Sequence, residues 1–299
     1  MMKLGIIGLD SSHAVAFANI LNNQNHAGYI PDHPVVCAYP GEISSDFDMS
    51  YERMDKFTEE VTEQHGVALA ESISAVMEQV DAVFLEQVDA RKRFKQFEEI
   101  VKFGKPVFVD KPFALSGAEA GDMAALAEHY GAPLLSTSAL RYADSLTAAL
   151  RDDTHGEIDG ADFASHMPMA PTQPGFFWYG CHAADMLYAV MGAGCETVYA
   201  TSTTDADLIV GTWRDGRIGT VRGSRLCYNI YTGVIQRRQR PVLVDPTGDQ
   251  RPFYDCLIEQ VIRMFDTGVM PVSREEMVEV IRFLEAANES VRTGNIVRI

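Results

Sequence analysis

KLGIIGLDSSHAVAFANIL, residues 3–21, carries the reading that decides the fold. Lys3 to Leu9 is a short apolar run punctuated by glycine, the pattern of a strand buried on both faces, and Ala14 to Leu21 follows with helical spacing. A strand, a tight turn and a helix result. Working outward, Val35 to Ala38 reads as a second strand, Tyr51 to Gly66 as a charged amphipathic helix, and Ser72 to Gln79 as a short helix before the strand Ala82 to Leu85. Arg91 to Phe103 is a helix stopped by Gly104, and Val107 to Val109 is the next strand. Parallel neighbours need crossover connections, so strands alternating with helices predict a doubly wound parallel sheet over residues 1–117, the architecture of a dinucleotide-binding domain.

The pattern then changes. After a helix from Gly117 to Tyr130 and a strand at Pro133 to Thr137, longer alternating strands begin: Ala161 to His166, Glu196 to Thr203, Asp207 to Trp213, Ile218 to Gly223 and Leu226 to Tyr231. Turns such as Arg214-Asp215-Gly216 join neighbours, which predicts a mostly antiparallel sheet. Gly175 to Met191 and Glu275 to Thr293 are its helices, each followed by glycine. Residues 118–299 therefore read as an α+β domain for substrate binding and oligomerisation, and Asp205 and Asp207, in a strand connection, as solvated.

At 299 residues and 46% hydrophobic, the chain can bury a large core. Its 25 basic and 42 acidic residues give a net charge of −17, which repels nucleic acid phosphates and anionic lipid, so neither is expected as a partner. The start is too short in its apolar run for a signal peptide or a membrane span, and a cytoplasmic location is expected. Cys37, Cys181, Cys195, Cys227 and Cys256 form no C-x-x-C pair, so buried thiols are expected and no metal site is indicated.

Two stretches carry candidate chemistry. Val107 to Ser116 runs from a strand into Asp110-Lys111-Pro112, presenting a cation at a sheet edge beside a proline that fixes the exit of the chain. In the first turn, the fingerprint G-x-G-x-x-G reads Gly8-Leu9-Asp10-Ser11-Ser12-His13. Asp10 puts bulk and negative charge where a pyrophosphate would arrive, while Ser11, Ser12 and His13 are able to donate to phosphate. Helix capping by Asp10 or a serine is the other reading of the same residues. The second strand ends in Tyr39-Pro40-Gly41 rather than an acidic residue, leaving NAD and NADP both open, with Glu42 the nearest carboxylate.

Val80-Asp81-Ala82-Val83, Gly104-Lys105-Pro106-Val107, Asp110-Lys111-Pro112, Arg141-Tyr142, Gly180-Cys181-His182-Ala183-Ala184-Asp185 and Ala286-Ala287-Asn288-Glu289-Ser290 occur in the order and spacing that resemble the glucose-fructose oxidoreductase, inositol dehydrogenase and MocA family over nearly the full length. The likeness has Asp110 in place of the glutamate of E-K-P, Trp178 where members often carry an aspartate, and Lys92 near a frequent histidine. It implies an NAD(P)-dependent oxidoreductase acting on a sugar, polyol or related hydroxyl compound. It further implies Lys111 and His182 as catalytic residues; Asp185, three residues after His182 and on roughly the same helix face, is a third candidate that would orient the imidazole, although an aspartate there is commonly structural in the family. The cofactor set comprises Gly8, Asp10, Ser11, Ser12, His13, Tyr39, Gln87, Asp110, Lys111 and Pro112, and the substrate set Arg141, His166, Trp178 and Tyr179. Hydride leaves carbon as the hydroxyl loses its proton, so a base near neutral pKa and a nearby cation both lower the barrier. A homodimer or homotetramer is expected, because an antiparallel sheet needs its outer face covered. The competing reading, motivated by Asp10, His13 and Trp178, is a ligand-binding or regulatory protein without dinucleotide chemistry.

Overall fold

Leu4–Ile7 (β1) has all four residues buried and is flanked by parallel strands on both sides, as a continuous apolar run requires. The turn after it leads into α1 (Ser12–Asn22), whose capping residue Ser11 accepts a bond from the His13 N–H. The computed structural model describes residues 1–299, which divide into two units. The first contains Met1–Ala114, Ala118–Ser136 and Ile258–Arg274; the second contains Leu115–Gly117, Thr137–Leu257 and Glu275–Ile299.

In the first unit β2 (Val35–Tyr39), α2 (Asp48–Tyr51), α3 (Met54–Glu59), β3 (Ala68–Leu69), α4 (Ile73–Met77), β4 (Ala82–Leu85), α5 (Ala90–Ile100), β5 (Val107–Val109), α6 (Gly117–His129) and β6 (Leu134–Leu135) follow in turn. The strands form one parallel sheet in the order β3-β2-β1-β4-β5-β6. Strand order reverses between β1 and β4, the point where doubly wound sheets bind ligands. Tyr51 to Gly66, read as one helix, is instead α2, α3 and a π-helical turn over Glu60–Gln64, ending at Gly66 with φ of 68°. Phe17 of α1 packs on Phe84 of β4 and Phe108 of β5 at 5.5 and 6.0 Å, and Phe84 meets Phe265 at 5.2 Å. These rings fix α1 and the segment Ile258–Arg274 against the sheet.

The second unit holds α7 (Asp144–Arg151), β7 (Ile158–His166), α8 (Gly180–Met191), β8 (Cys195–Ser202), β9 (Ala206–Trp213), β10 (Ile218–Ser224), β11 (Tyr231–Arg237) and β12 (Val242–Val244). Next come α9 (Phe253–Thr267), which starts here and ends in the first unit, α10 (Arg274–Thr293) and β13 (Val297–Arg298). The sheet order is β12-β11-β7-β10-β9-β8-β13, with every pair antiparallel except β7 and β10. Alternate residues of β9, Asp207, Ile209, Gly211 and Trp213, are buried on one face. Close approach of the helices explains the small residues there: a Cβ on Gly219 would lie 2.7 Å from Leu187 Cδ1, and one on Gly211 2.9 Å from a Phe283 ring carbon.

Two sequence expectations change here. Leu226 to Tyr231 is a bent segment rather than a strand; Asn229 takes φ of 52°, Leu226 and Tyr228 are each 79% exposed, and pairing with β7 begins at Tyr231. Asp207 is buried rather than solvated, because Arg225 pairs with both its oxygens at 2.8 and 3.0 Å. All five cysteines are free thiols, four of them buried. No helix is long and apolar enough to cross a membrane. Phe84→Ala is expected to cost about 3–5 kcal/mol by emptying the ring cluster, read as a lower urea midpoint with an unchanged slope.

Candidate active site

The turn after β1 depends on Gly8, whose φ is +92° and where a Cβ would lie 2.2 Å from the Gln87 nitrogen. Only glycine permits both the conformation and the contact. Asp10, two residues on, is fully buried. Its carboxylate accepts from the Ser50 hydroxyl at 2.6 Å, the Gln87 amide at 2.5 Å and the Val88 N–H at 2.8 Å. Burial pushes its pKa up and the bonds from Ser50 and Val88 oppose this. The side chain is therefore a hub joining the β1 turn to Ser50 and to the chain leaving β4. Ser11 caps α1, and Ser12, its first residue, is exposed.

Gln87 is also fully buried, with its amide oxygen accepting from the Glu42 N–H at 3.2 Å and the Gln96 amide at 3.1 Å. Tyr39 lines a cavity of about 230 Å³ with Glu42, Arg91, Lys92 and Lys95. Lys92 pairs with Glu42 at 3.2 Å.

At the end of β5, Asp110 is 4% exposed and meets His13 Nδ1 at 2.9 Å, while its own carboxylate accepts the Lys111 N–H at 2.8 Å. Burial would raise its pKa, but His13, Lys111 and Arg93 outweigh burial and hold the carboxyl well below the usual range. Lys111 is half-buried and Pro112 buried, and the peptide between them is cis. Arg93, a residue that sequence reading passed over, is only 1% exposed and holds this segment. Its Nε donates to the Gln87 carbonyl at 2.7 Å, and its Nη1 donates to the Asp110 and Pro112 carbonyls at 2.5 Å each. Glu86 is wholly buried, and burial followed by the Asp110 charge drives its pKa well up.

The second unit gathers a separate set around the first turns of α8. His182 is half-buried, its Nδ1 lies 2.7 Å from Ser138 Oγ, and its ring packs on Tyr179 at 5.3 Å and Tyr231 at 5.8 Å. Asp185, one turn later and 5% exposed, accepts from the Thr137 hydroxyl, the Ser138 N–H and, at 2.9 Å, Arg141 Nε. Asp185 thus acts on the imidazole through Ser138, whose position it fixes. Arg141 is 8% exposed and also meets Glu276 at 2.5 Å. Burial opposes its charge, but Asp185 and Glu276 raise its pKa further. His166 lies 5.4 Å from Tyr179 and 5.3 Å from Tyr228, and burial lowers its pKa. Trp178 packs on Tyr179 at 5.7 Å. His166, Trp178, Tyr179 and His182 are therefore one aromatic cluster, completed by Tyr228 and Tyr231. Tyr231 also borders a cavity of about 260 Å³ lined by Thr247, Asp249 and Arg251.

Residues 2–137 match the Gfo/Idh/MocA family, described as an oxidoreductase family with an NAD-binding Rossmann fold. This segment belongs to that family. Over the whole chain the fold is similar to that of a putative myo-inositol dehydrogenase from Sinorhizobium meliloti, with a TM-score of 0.81, 17% identity and 100% of each chain covered. Scyllo-inositol dehydrogenase from Lactobacillus casei, solved with NAD(H) and scyllo-inositol, gives 0.79 at 15% identity, covering 100% of this chain and 99% of the other. GenD2 of gentamicin A biosynthesis, solved with NAD, gives 0.79 at 18% identity and covers 100% and 96%. Among curated proteins none matches this chain.

Asp10→Gly, which restores the family glycine, is expected to destabilise the protein by about 1–3 kcal/mol, because three buried donors lose their acceptor. A urea titration measures the loss. Asp10→Asn, which keeps an acceptor oxygen, should lose less.

Proposed function

We propose that the chain is an NAD(P)-dependent dehydrogenase acting on a CH–OH group of a sugar, polyol or related small molecule. The observation that supports this most directly is His182, whose Nδ1 is held by Ser138 Oγ at 2.7 Å. Holding one ring nitrogen sets the direction of the other, so Nε2 is the atom assigned to exchange the alcohol proton. Lys111, at the end of β5, supplies the cation that favours the developing alkoxide. Tyr179, half-buried beside His182 and in one cluster with the buried rings of Trp178 and Tyr231, offers an apolar ring face for the C–H side of a sugar or cyclitol.

The residues of the first turn fit a dinucleotide. Gly8 lets the backbone turn sharply, Ser12 sits exposed at the N-terminus of α1, and the Asp10 carboxylate is occupied by three internal donors. The helix N-terminus and Ser12 would hold the pyrophosphate, and Tyr39 and Glu42 would border the adenosine. When bound, the nicotinamide supplies the hydride acceptor. Free thiols throughout the chain support placing it in the reducing cytoplasm. The outer face of the second sheet exposes Tyr199, Leu208, Ile218 and Leu243, at 43, 36, 54 and 80%, and a second copy of the chain in a homodimer or homotetramer is the proposed cover. Light scattering at micromolar concentration tests this, and a monomer rejects it.

Calorimetric titration with NADH and NADPH tests the cofactor reading: binding of at least one is expected, and none at millimolar concentration rejects it in favour of a ligand-binding protein. A panel of inositols and sugars, followed by nicotinamide absorbance, then tests catalysis. Lys111→Ala and His182→Ala should each reduce turnover by about 10²–10⁴-fold. Ser138→Ala, which frees the imidazole, should reduce it less and alter the pH profile.

A further inference from the structure

One cluster of the first unit is not used by the reaction above. His13 of α1, Glu86 at the end of β4 and Asp110 at the end of β5 each bring one ligand-capable atom within 4.8 Å of the other two. His13 Nδ1 lies 2.9 Å from Asp110 Oδ1 and 3.9 Å from Glu86 Oε2. Glu86 is 0% exposed, and neither of its oxygens has a hydrogen-bond partner. A buried acceptor with no donor is costly, and native interiors almost always supply a partner. A proton on Glu86 would neutralise the charge, yet its O–H would itself need an acceptor. A cation satisfies Glu86, His13 and Asp110 at once.

We propose that His13, Glu86 and Asp110 bind one divalent transition-metal ion. One imidazole nitrogen and two carboxylate oxygens are the donor set of zinc, manganese or ferrous iron, and the lack of a thiolate disfavours cuprous ion. Ligands at about 2.0–2.2 Å from a tetrahedral ion stand roughly 3–3.5 Å from one another, a range that the 2.9 and 3.9 Å separations bracket. Arg93 faces the cluster, its Nη2 3.6 Å from the outer oxygen, Asp110 Oδ2; the Lys111 backbone N–H bonds Oδ1, and the Lys111 charge acts on both carboxyls. The Arg93 guanidinium is directed at the carbonyls of Gln87, Val88, Asp110 and Pro112, so its position is fixed by the backbone rather than by the cluster. Phe17 stacks on the His13 ring at 5.9 Å and closes the side toward α1. An ion here would tie the first turn of α1 to the ends of β4 and β5.

The test needs neither cofactor nor substrate, so its outcome is independent of the dehydrogenase reading. Full-length protein is stripped with a chelator and titrated calorimetrically with Zn²⁺ and with Mn²⁺. One ion per chain at micromolar affinity or better is expected. Glu86→Gln should weaken binding at least about tenfold with an unchanged far-ultraviolet circular dichroism spectrum. His33→Ala, which removes the separate surface pair of His33 and Asp266 at 3.0 Å, should leave it unaltered. No binding at millimolar metal, or equal affinity in Glu86→Gln, overturns the proposal, the latter marking an adventitious surface ion. Should Glu86→Gln fail to fold, Mn²⁺ added to the wild-type protein should broaden the His13 imidazole resonances first, and undisturbed His13 signals overturn the site.

Discussion

Arg93 answers a constraint that every parallel sheet faces at its carboxyl edge, where the chain leaves the ladder and its carbonyls lose their partners. In the first unit those carbonyls belong to Gln87, Asp110 and Pro112, and one guanidinium, 1% exposed, accepts the task of bonding all three. A fixed planar fork of donors can do this, whereas a lysine ammonium cannot span the same directions with the same rigidity. The position of Lys111 follows from that clamp, since the residues on both sides of it are held. The buried Asp110 carboxylate has His13 bonded to it, with Lys111 and Arg93 nearby, and remains ionised, while Glu86, which feels Arg93 and Lys111 as well, has its pKa driven up by its full burial and by the Asp110 charge. Two carboxyls so close diverge because one charge is already present when the second would form.

The second unit solves a similar problem with the opposite sign. Asp185 is the acceptor around which Thr137, Ser138 and Arg141 converge, and Glu276 completes the charge balance on Arg141. Such a network rigidifies only when each member is satisfied. Ser138 is its outlet, because its N–H is fixed by Asp185 while its hydroxyl meets His182. The absence of a carboxylate at Trp178 therefore does not leave the imidazole without an orienting group.

Much of this architecture could be read from the residues. The apolar runs of β1, β4 and β5 and the glycines after α8 and α10 gave the strands and stops, because burial on both faces and left-handed termini leave local marks. The helix Phe253–Thr267 leaves local marks of the same kind, with Pro252 before it and Gly268 at φ of 70° after it. Leu226 to Tyr231 misled for a different reason. Its apolar residues suit a strand, but whether they pair is decided by Asn229 and by the register of β7, which no local pattern reveals. Ser138, Arg93 and Glu86 were invisible because their importance lies in partners 44, 17 and 73 positions away, Glu86 being set against His13.

Asp10 shows how a substitution at a fingerprint position can change the meaning of its neighbours. A glycine there has no side chain to satisfy, so the residues around it need offer nothing. Once a carboxylate occupies the place it must be either hydrated or internally bonded, and Ser50, Gln87 and Val88 supply the donors. Gln87 in turn holds Glu42 and Gln96, so the same carboxylate organises the end of β2 and the first turns of α5. His13, at the third fingerprint position, makes a matching link from α1 to Asp110. What sequence reads as two defects in a glycine motif is, in the folded chain, a pair of polar ties. They replace glycine's freedom of approach with fixed connections between the first turn and the segments after β4 and β5 that carry Gln87 and Lys111.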